Sequence, residues 1–206
     1  MTTSLSTEVR PDAAAAARGA RVALWGTVAG AVLGVGYFTV GGIFAPLSDL
    51  AAGVIGVGLM PVVLHLHRRG GRSGVDGVAA TGLAAAAGMI TSSLGLIVSD
   101  TLQIEGGRAF LTVQFLSMAA FGGWLLATVR REGGRFSRRW HTTALVTAVA
   151  YVVAGIGEPL TGFRQIVIYS AGSVAVVAFC LWAARTRREL MEDVRTDGVR
   201  RKGEKR

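Results

Sequence analysis

Residues 50–72 read LAAGVIGVGLMPVVLHLHRRGGR, an apolar run that ends in a group of arginines. The run from Leu50 to Leu66 contains no Asp, Glu, Lys or Arg, and it has the length at which a helix crosses a lipid bilayer, about 17 to 25 residues. Comparable runs recur along the whole chain. We therefore predict an all-α, polytopic transmembrane helical bundle with six spans, at about residues 22–44, 50–66, 78–99, 109–129, 140–157 and 165–184.

The basic residues alternate between the segments that separate these runs. Twenty of the 22 Lys and Arg residues lie in the two tails and in the second and fourth loops, whereas only Arg108 and Arg164 lie in the other loops. Cytoplasmic segments of membrane proteins carry such an excess of Lys and Arg. The pattern predicts a multi-pass protein of the cell (inner) membrane with both termini in the cytoplasm.

Outside the predicted transmembrane domain (residues 21–186), the two ends of the chain are polar. Residues 1–20 are predicted to be a disordered cytoplasmic tail, and residues 187–206 are predicted to be a basic cytoplasmic tail. The first part of this second tail, residues 187–194, could extend span six as a short helix. A net charge of +9 could indicate nucleic-acid binding, but the basic residues flank apolar runs instead of forming one face. We expect contact with the lipid bilayer and its anionic headgroups, and no nucleic-acid partner.

The four tryptophans fall near the basic ends of their spans, at Trp25, Trp124, Trp140 and Trp182. Indole rings favour the headgroup level of a bilayer, where one edge of the ring is wet and the rest is in an apolar medium. The sequence therefore predicts a tryptophan belt at the cytoplasmic interface.

Small residues at four-residue spacing predict close helix packing. Gly26, Gly30 and Gly34 form one such ridge on span one. In lipid, close backbone approach through small residues supplies much of the association between helices. The ridge could pack within the chain or could form an interface between two copies of it.

Polar residues inside the spans mark a second feature. Gln114 on span four and Ser92 and Ser93 on span three lie at similar depths below the non-basic side. They could clamp two antiparallel helices by a hydrogen bond, or they could line a pathway for a polar solute.

Acidic residues gather at the ends of spans on the non-basic side. Asp49, Asp100 and Glu158 form a candidate outer acidic cluster that could attract a cation or a proton. Local structure offers a competing interpretation, in which Asp49 caps the start of span two and Glu158-Pro159 closes span five.

The histidines do not predict a metal site. His65 and His67 are two residues apart, so that their rings would point about 200° apart on a helix. We expect them to reach the membrane interface beside Arg68 and Arg69. No catalytic triad, zinc motif or phosphate loop occurs in the sequence, and we predict no catalytic residue, metal or cofactor.

The stretch IFAPLSDL at residues 43–50, followed by an apolar span that ends in His65-Leu-His67-Arg-Arg, resembles small uncharacterised six-span bacterial integral membrane proteins. This resemblance implies a membrane location and six spans, and it brings no substrate or catalytic residue. Two function classes stay open. The chain could transport an ion or a small solute, or it could be a non-catalytic membrane subunit or scaffold that binds a partner protein or anionic lipid.

Overall fold

The computed structural model describes the backbone of residues 13–40, 42–69, 74–104, 106–132, 136–161 and 166–203. All regular structure in these ranges is α-helical, which confirms the all-α prediction, and each predicted apolar run corresponds to one helix. The helices are α1 (Ala13–Val40), α2 (Phe44–Arg69), α3 (Gly77–Leu102), α4 (Gly107–Glu132), α5 (Arg138–Thr161) and α6 (Ile166–Gly203). Within the described residues, the first five are long and apolar enough to cross a membrane.

The six helices form a closed ring. Each helix packs against its neighbours in the sequence, and α6 returns to pack against α1. The basic segments meet at one end of the ring, where Arg69 of α2 pairs with Asp193 of α6 and Arg131 of α4 pairs with Asp76 before α3. We call this the basic end of the bundle.

The terminal helices are longer than the sequence predicts. α1 begins at Ala13, so residues 13–20 are helical and not part of a disordered tail. The reason is local, because Ala is the strongest helix former and because Ala16 and Ala17 are buried in one cluster with Leu190 of α6. α6 continues to Gly203, well beyond the predicted extension at 187–194. Residues 1–12 and 204–206 lie outside the described residues.

Large apolar side chains cover the outside of the ring on every helix. One representative from each of the six helices is between 49% and 67% exposed: Val32, Leu50, Leu94, Leu116, Val149 and Val177. Water-soluble monomers rarely expose a continuous apolar surface of this kind. The surface is therefore suited to contact with lipid.

Glycines bring α1 and α2 into backbone contact near the basic end. A Cβ atom added to Gly58 would lie 2.6 Å from both the Gly19 carbonyl oxygen and the Ala23 amide nitrogen. The ring of Pro61, which lies inside α2, packs at the same crossing against Gly19. Any larger side chain at Gly58 would have to push the two backbones apart.

Candidate functional site

The interior of the bundle contains a cluster of buried aromatic side chains. Phe121 of α4 is fully buried, and its ring centroid lies 5.3 to 5.7 Å from those of Trp124, Tyr151, Phe179 and Trp182. Centroid separations of 4.5 to 7 Å are typical of favourable aromatic pairs. Three helices, α4, α5 and α6, contribute these rings, and we call the five side chains the aromatic core.

Three of the four tryptophans contradict the predicted interfacial belt. Trp124, Trp140 and Trp182 are at most 2% exposed, and only Trp25 is exposed, at 60%. The interior of the bundle is as apolar as lipid. A large aromatic ring near the end of a span can therefore be buried in the core instead of lying at the membrane interface. The Trp140 indole N–H finds a buried partner, because it donates to Thr186 Oγ1 at 2.8 Å.

Asp76 organises the basic end between α2, α3 and α4. It is the N-cap of α3, and one carboxylate oxygen accepts from the backbone N–H groups of Val78 (3.0 Å) and Ala79 (2.9 Å). The other oxygen accepts from the guanidinium of Arg131. The hydrogen bond from Ala79, together with Arg131, holds the pKa of Asp76 at about 2. The carboxylate therefore stays negative at any physiological pH.

His67 is buried beside this carboxylate. Its Nε2 lies 2.8 Å from the Gly74 carbonyl oxygen, and its Nδ1 lies 3.5 Å from Asp76 Oδ1. A carbonyl can only accept a hydrogen bond, so Nε2 carries a proton that it donates to Gly74, and Nδ1 faces the Asp76 carboxylate. The expected interfacial exposure of His67 is therefore wrong, since the residue is 7% exposed.

A second set of contacts ties α2 and α5 to α6. Arg69 Nη1 lies 2.8 Å from Asp193 Oδ2, and the Arg69 guanidinium lies 4.3 Å above the centre of the Phe136 ring. The Phe136 ring stacks on Trp140, at the start of α5. These contacts and the Asp76 network together cross-link the ends of α2, α3, α4, α5 and α6.

The predicted polar residues of α3 and α4 have buried side-chain atoms. Ser92 is fully buried, and its hydroxyl donates to the Met89 carbonyl of its own helix at 3.1 Å. Ser93 lies against α2, since a Cβ atom on Gly53 would be 3.3 Å from Ser93 Cβ. Among the described residues, neither Ser93 Oγ nor the buried Gln114 Oε1 has a hydrogen-bond partner. The structure thus shows two buried polar atoms here, but no bond between Ser92 and Gln114.

The glycine ridge of span one faces α2. A Cβ atom on Gly26 would lie 3.2 Å from the Ala51 carbonyl oxygen, and one on Gly30 would lie 3.3 Å from Ala51 Cβ. The contact at Gly34 is less close, because a Cβ atom there would lie 3.9 Å from Ser48 Oγ. Within one chain, α2 therefore occupies the ridge.

The acidic residues of the opposite end are only partly brought together. Asp49 and Asp100 interact electrostatically, and Asp49 is half-buried while Asp100 is exposed. Asp49 does not cap α2, because the helix already begins at Phe44. α5 likewise runs past Pro159 to Thr161, and the side chain of Glu158 lies outside the described residues.

The polar network around Asp76 was not predicted from the sequence. Asp76 directly precedes an apolar run, which is a helix N-cap signal, and that signal could have identified its role. Nothing local indicated its partner Arg131, 55 residues away, or the burial of Glu132 at 3% exposure. Within the described residues, no three His, Cys, Asp or Glu side chains are grouped so as to hold a metal ion.

Comparisons with protein-family models, with curated proteins and with solved structures find no match to this chain. The resemblance, which covers about residues 35–69, therefore stays a prediction.

Proposed function

We propose that this chain is a six-span protein of the cell membrane with both termini in the cytoplasm. Two observations support the placement. Exposed Val and Leu side chains lie on the outer side of all six helices, and the basic segments meet at one end of the ring. The sixth span would be the apolar first half of α6, whose Phe179 and Trp182 belong to the aromatic core.

Within that membrane, we propose a non-catalytic subunit or scaffold that binds a partner through its basic end. The aromatic core is the observation that carries this proposal. A solute crossing the ring would have to separate Phe121 from the four rings around it, all of which are at most 4% exposed. A centre packed in this way favours a rigid body over a conduit.

The basic end supplies the surface for such a partner. Its cross-links hold the helix ends in place, while the guanidinium groups of several arginines remain exposed around them: Arg68, Arg130, Arg138, Arg139 and Arg187. Exposed cations on a rigid support complement an acidic protein surface or anionic headgroups. We propose that the basic end binds mainly an acidic surface of a partner membrane protein.

Affinity capture in a mild detergent, followed by mass spectrometry and measurement of the complex mass, tests this proposal. We expect one protein to co-purify in a fixed ratio and to be lost when Arg130, Arg138 and Arg187 are changed to Gln. The matched control is Arg108→Gln, which alters a basic residue at the opposite end of the bundle. A homogeneous protein that carries no partner, or a partner that binds both variants equally, would contradict the scaffold function.

A second candidate function is transport of an ion or a small polar solute past α3 and α4. The buried Gln114 Oε1 and Ser93 Oγ favour it, because unpartnered polar atoms in a bundle interior can line a pathway. Flux into vesicles that contain the purified protein, abolished by Gln114→Leu while folding is retained, would support transport and overturn the scaffold proposal. Unchanged stability and no flux in either protein would leave Gln114 as a packing residue.

A further inference from the structure

A groove runs along the outside of the bundle between α1 and α2. Its volume is about 640 Å³, within the range of about 300–1,000 Å³ in which proteins hold small ligands. Val22, Ala29 and Leu33 form one wall, and Leu50 and Val54 form the other. The floor is made of small residues, Gly26 and Ala51, which are buried.

The groove is charged only at its basic end. Arg18 and Arg21 line it there, and because they are three residues apart on α1 they share one face of the helix. Both are exposed, and among the described residues neither forms an ion pair. None of the described lining residues is acidic. This end therefore attracts an anion, and guanidinium groups bind phosphate through paired hydrogen bonds.

The dimensions of the groove match one leaflet of a bilayer. Arg21 and Leu33 are twelve residues apart on α1, which is about 18 Å at 1.5 Å per residue. Half of a hydrocarbon core is about 15 Å thick. Trp25, which is 60% exposed, lines the groove one turn after Arg21, at the depth where indole rings meet headgroups.

We propose that this groove is a binding site for an anionic phospholipid. One acyl chain lies along Gly26, Ala29 and Ala51, and the phosphate is held by Arg18 and Arg21. The proposal rests on the membrane placement given above, with the basic end at the inner leaflet. It does not depend on whether the protein is a scaffold or a transporter.

Trp25 itself can report on the occupant, because it lines the groove while the other three tryptophans are buried in the bundle. The purified full-length protein is placed in vesicles of equal parts phosphatidylglycerol and phosphatidylcholine. Bromine, which quenches tryptophan fluorescence on contact, is attached to the acyl chains of only one of the two lipids. The signal of Trp25 is the difference between the native protein and Trp25→Phe.

We expect stronger quenching when phosphatidylglycerol carries the bromine. Two basic residues near a membrane surface correspond to a preference of about 30-fold for the anionic headgroup. The double variant R18Q/R21Q should lose this preference, and R18K/R21K should keep most of it because the charge remains. Ala29→Phe, which fills the groove, should also abolish it. Arg108→Gln and Ala87→Phe are matched controls, with an exposed arginine and an exposed alanine away from the groove.

The possible failures of the two proposals can be told apart. Equal quenching by either brominated lipid, or a preference that survives R18Q/R21Q, would overturn the phospholipid site but leave the membrane placement intact. Absence of quenching by both lipids would show that Trp25 does not contact acyl chains, and it would overturn the placement as well.

Discussion

Replacing Val149 with Arg tests whether lipid surrounds this bundle. Val149 lies on the outside of α5 and is 49% exposed. It follows Arg138 by eleven residues and precedes Thr161 by twelve, so it lies about 16–18 Å from either end of the helix. A residue at this position would be at the middle of a hydrocarbon core of about 30 Å.

The expected cost of Val149→Arg depends on the solvent that meets this surface. At the centre of a membrane helix, Arg costs about 2.5–3.5 kcal/mol on insertion scales. On a water-exposed surface the same change would stay within about 0.5 kcal/mol. Because 1.4 kcal/mol is a factor of ten in an equilibrium constant, we expect the ratio of membrane-inserted to non-inserted α5 to fall by about two orders of magnitude in an insertion assay with a glycosylation reporter.

Two further variants of α5 provide the depth control. Thr142→Arg and Leu160→Arg place the same charge on exposed positions near the two ends of the helix, where the side chain can reach water. We expect a small loss for both. If Val149→Arg behaves like either of them, hydrocarbon does not surround the middle of α5, and the membrane placement is wrong.

Three further predictions concern packing and charge. Phe121→Ala should destabilise the bundle by about 2–3 kcal/mol in a mixed-micelle unfolding titration. The variant leaves a cavity in the core, but little energy is lost from moving apolar surface out of water, because lipid is apolar as well. Leu94→Ala, on the outer side of α3, is the control and should leave the free energy of unfolding almost unchanged. Gly58→Leu should separate α1 from α2 and lower the melting temperature, because its Cβ alone would meet backbone atoms at 2.6 Å; a melting temperature equal to that of the native protein would contradict this packing. The carboxylate of Asp76 has a lowered pKa of about 2 and an ordinary value of 3.8, so the hydrogen bond from Ala79 and the pairing with Arg131 stabilise the fold above about pH 4, and this stabilisation is lost as the pH falls towards 2. Asp76→Asn keeps the cap but should remove this acid-dependent loss, which thermal melts between pH 2 and pH 6 would detect.

The number and position of the helices could be predicted because the thickness of the hydrocarbon core sets the length of an apolar run that crosses it. Residues 50–66 sit inside α2, and the charged residues beyond them mark the end of the run. The ends of the outermost helices were harder to predict. Ala13 and the residues after it are helical partly because of a contact with Leu190, and that contact joins opposite ends of the chain.

The orientation of each helix about its own axis could not be predicted. In a water-soluble protein, apolar residues mark the buried face, but a helix surrounded by lipid is apolar on every side. Trp25 and Trp124 occupy equivalent places in their spans, yet one faces outwards and the other is in the core. The pairing of polar side chains could not be predicted either, because the Asp76–Arg131 contact depends on how the end of α4 approaches the loop before α3.

The closing contact between α1 and α6 has a consequence for biosynthesis. As the polypeptide leaves the ribosome, the first five helices can assemble only into an open arc, since the helix that completes the circle is made last. Phe121 and Tyr151 then face a gap until Phe179 and Trp182 arrive with α6. A nascent or truncated protein that stops before residue 166 should therefore be a target for membrane quality-control proteases, and adding the missing helix as a separate fragment should rescue it.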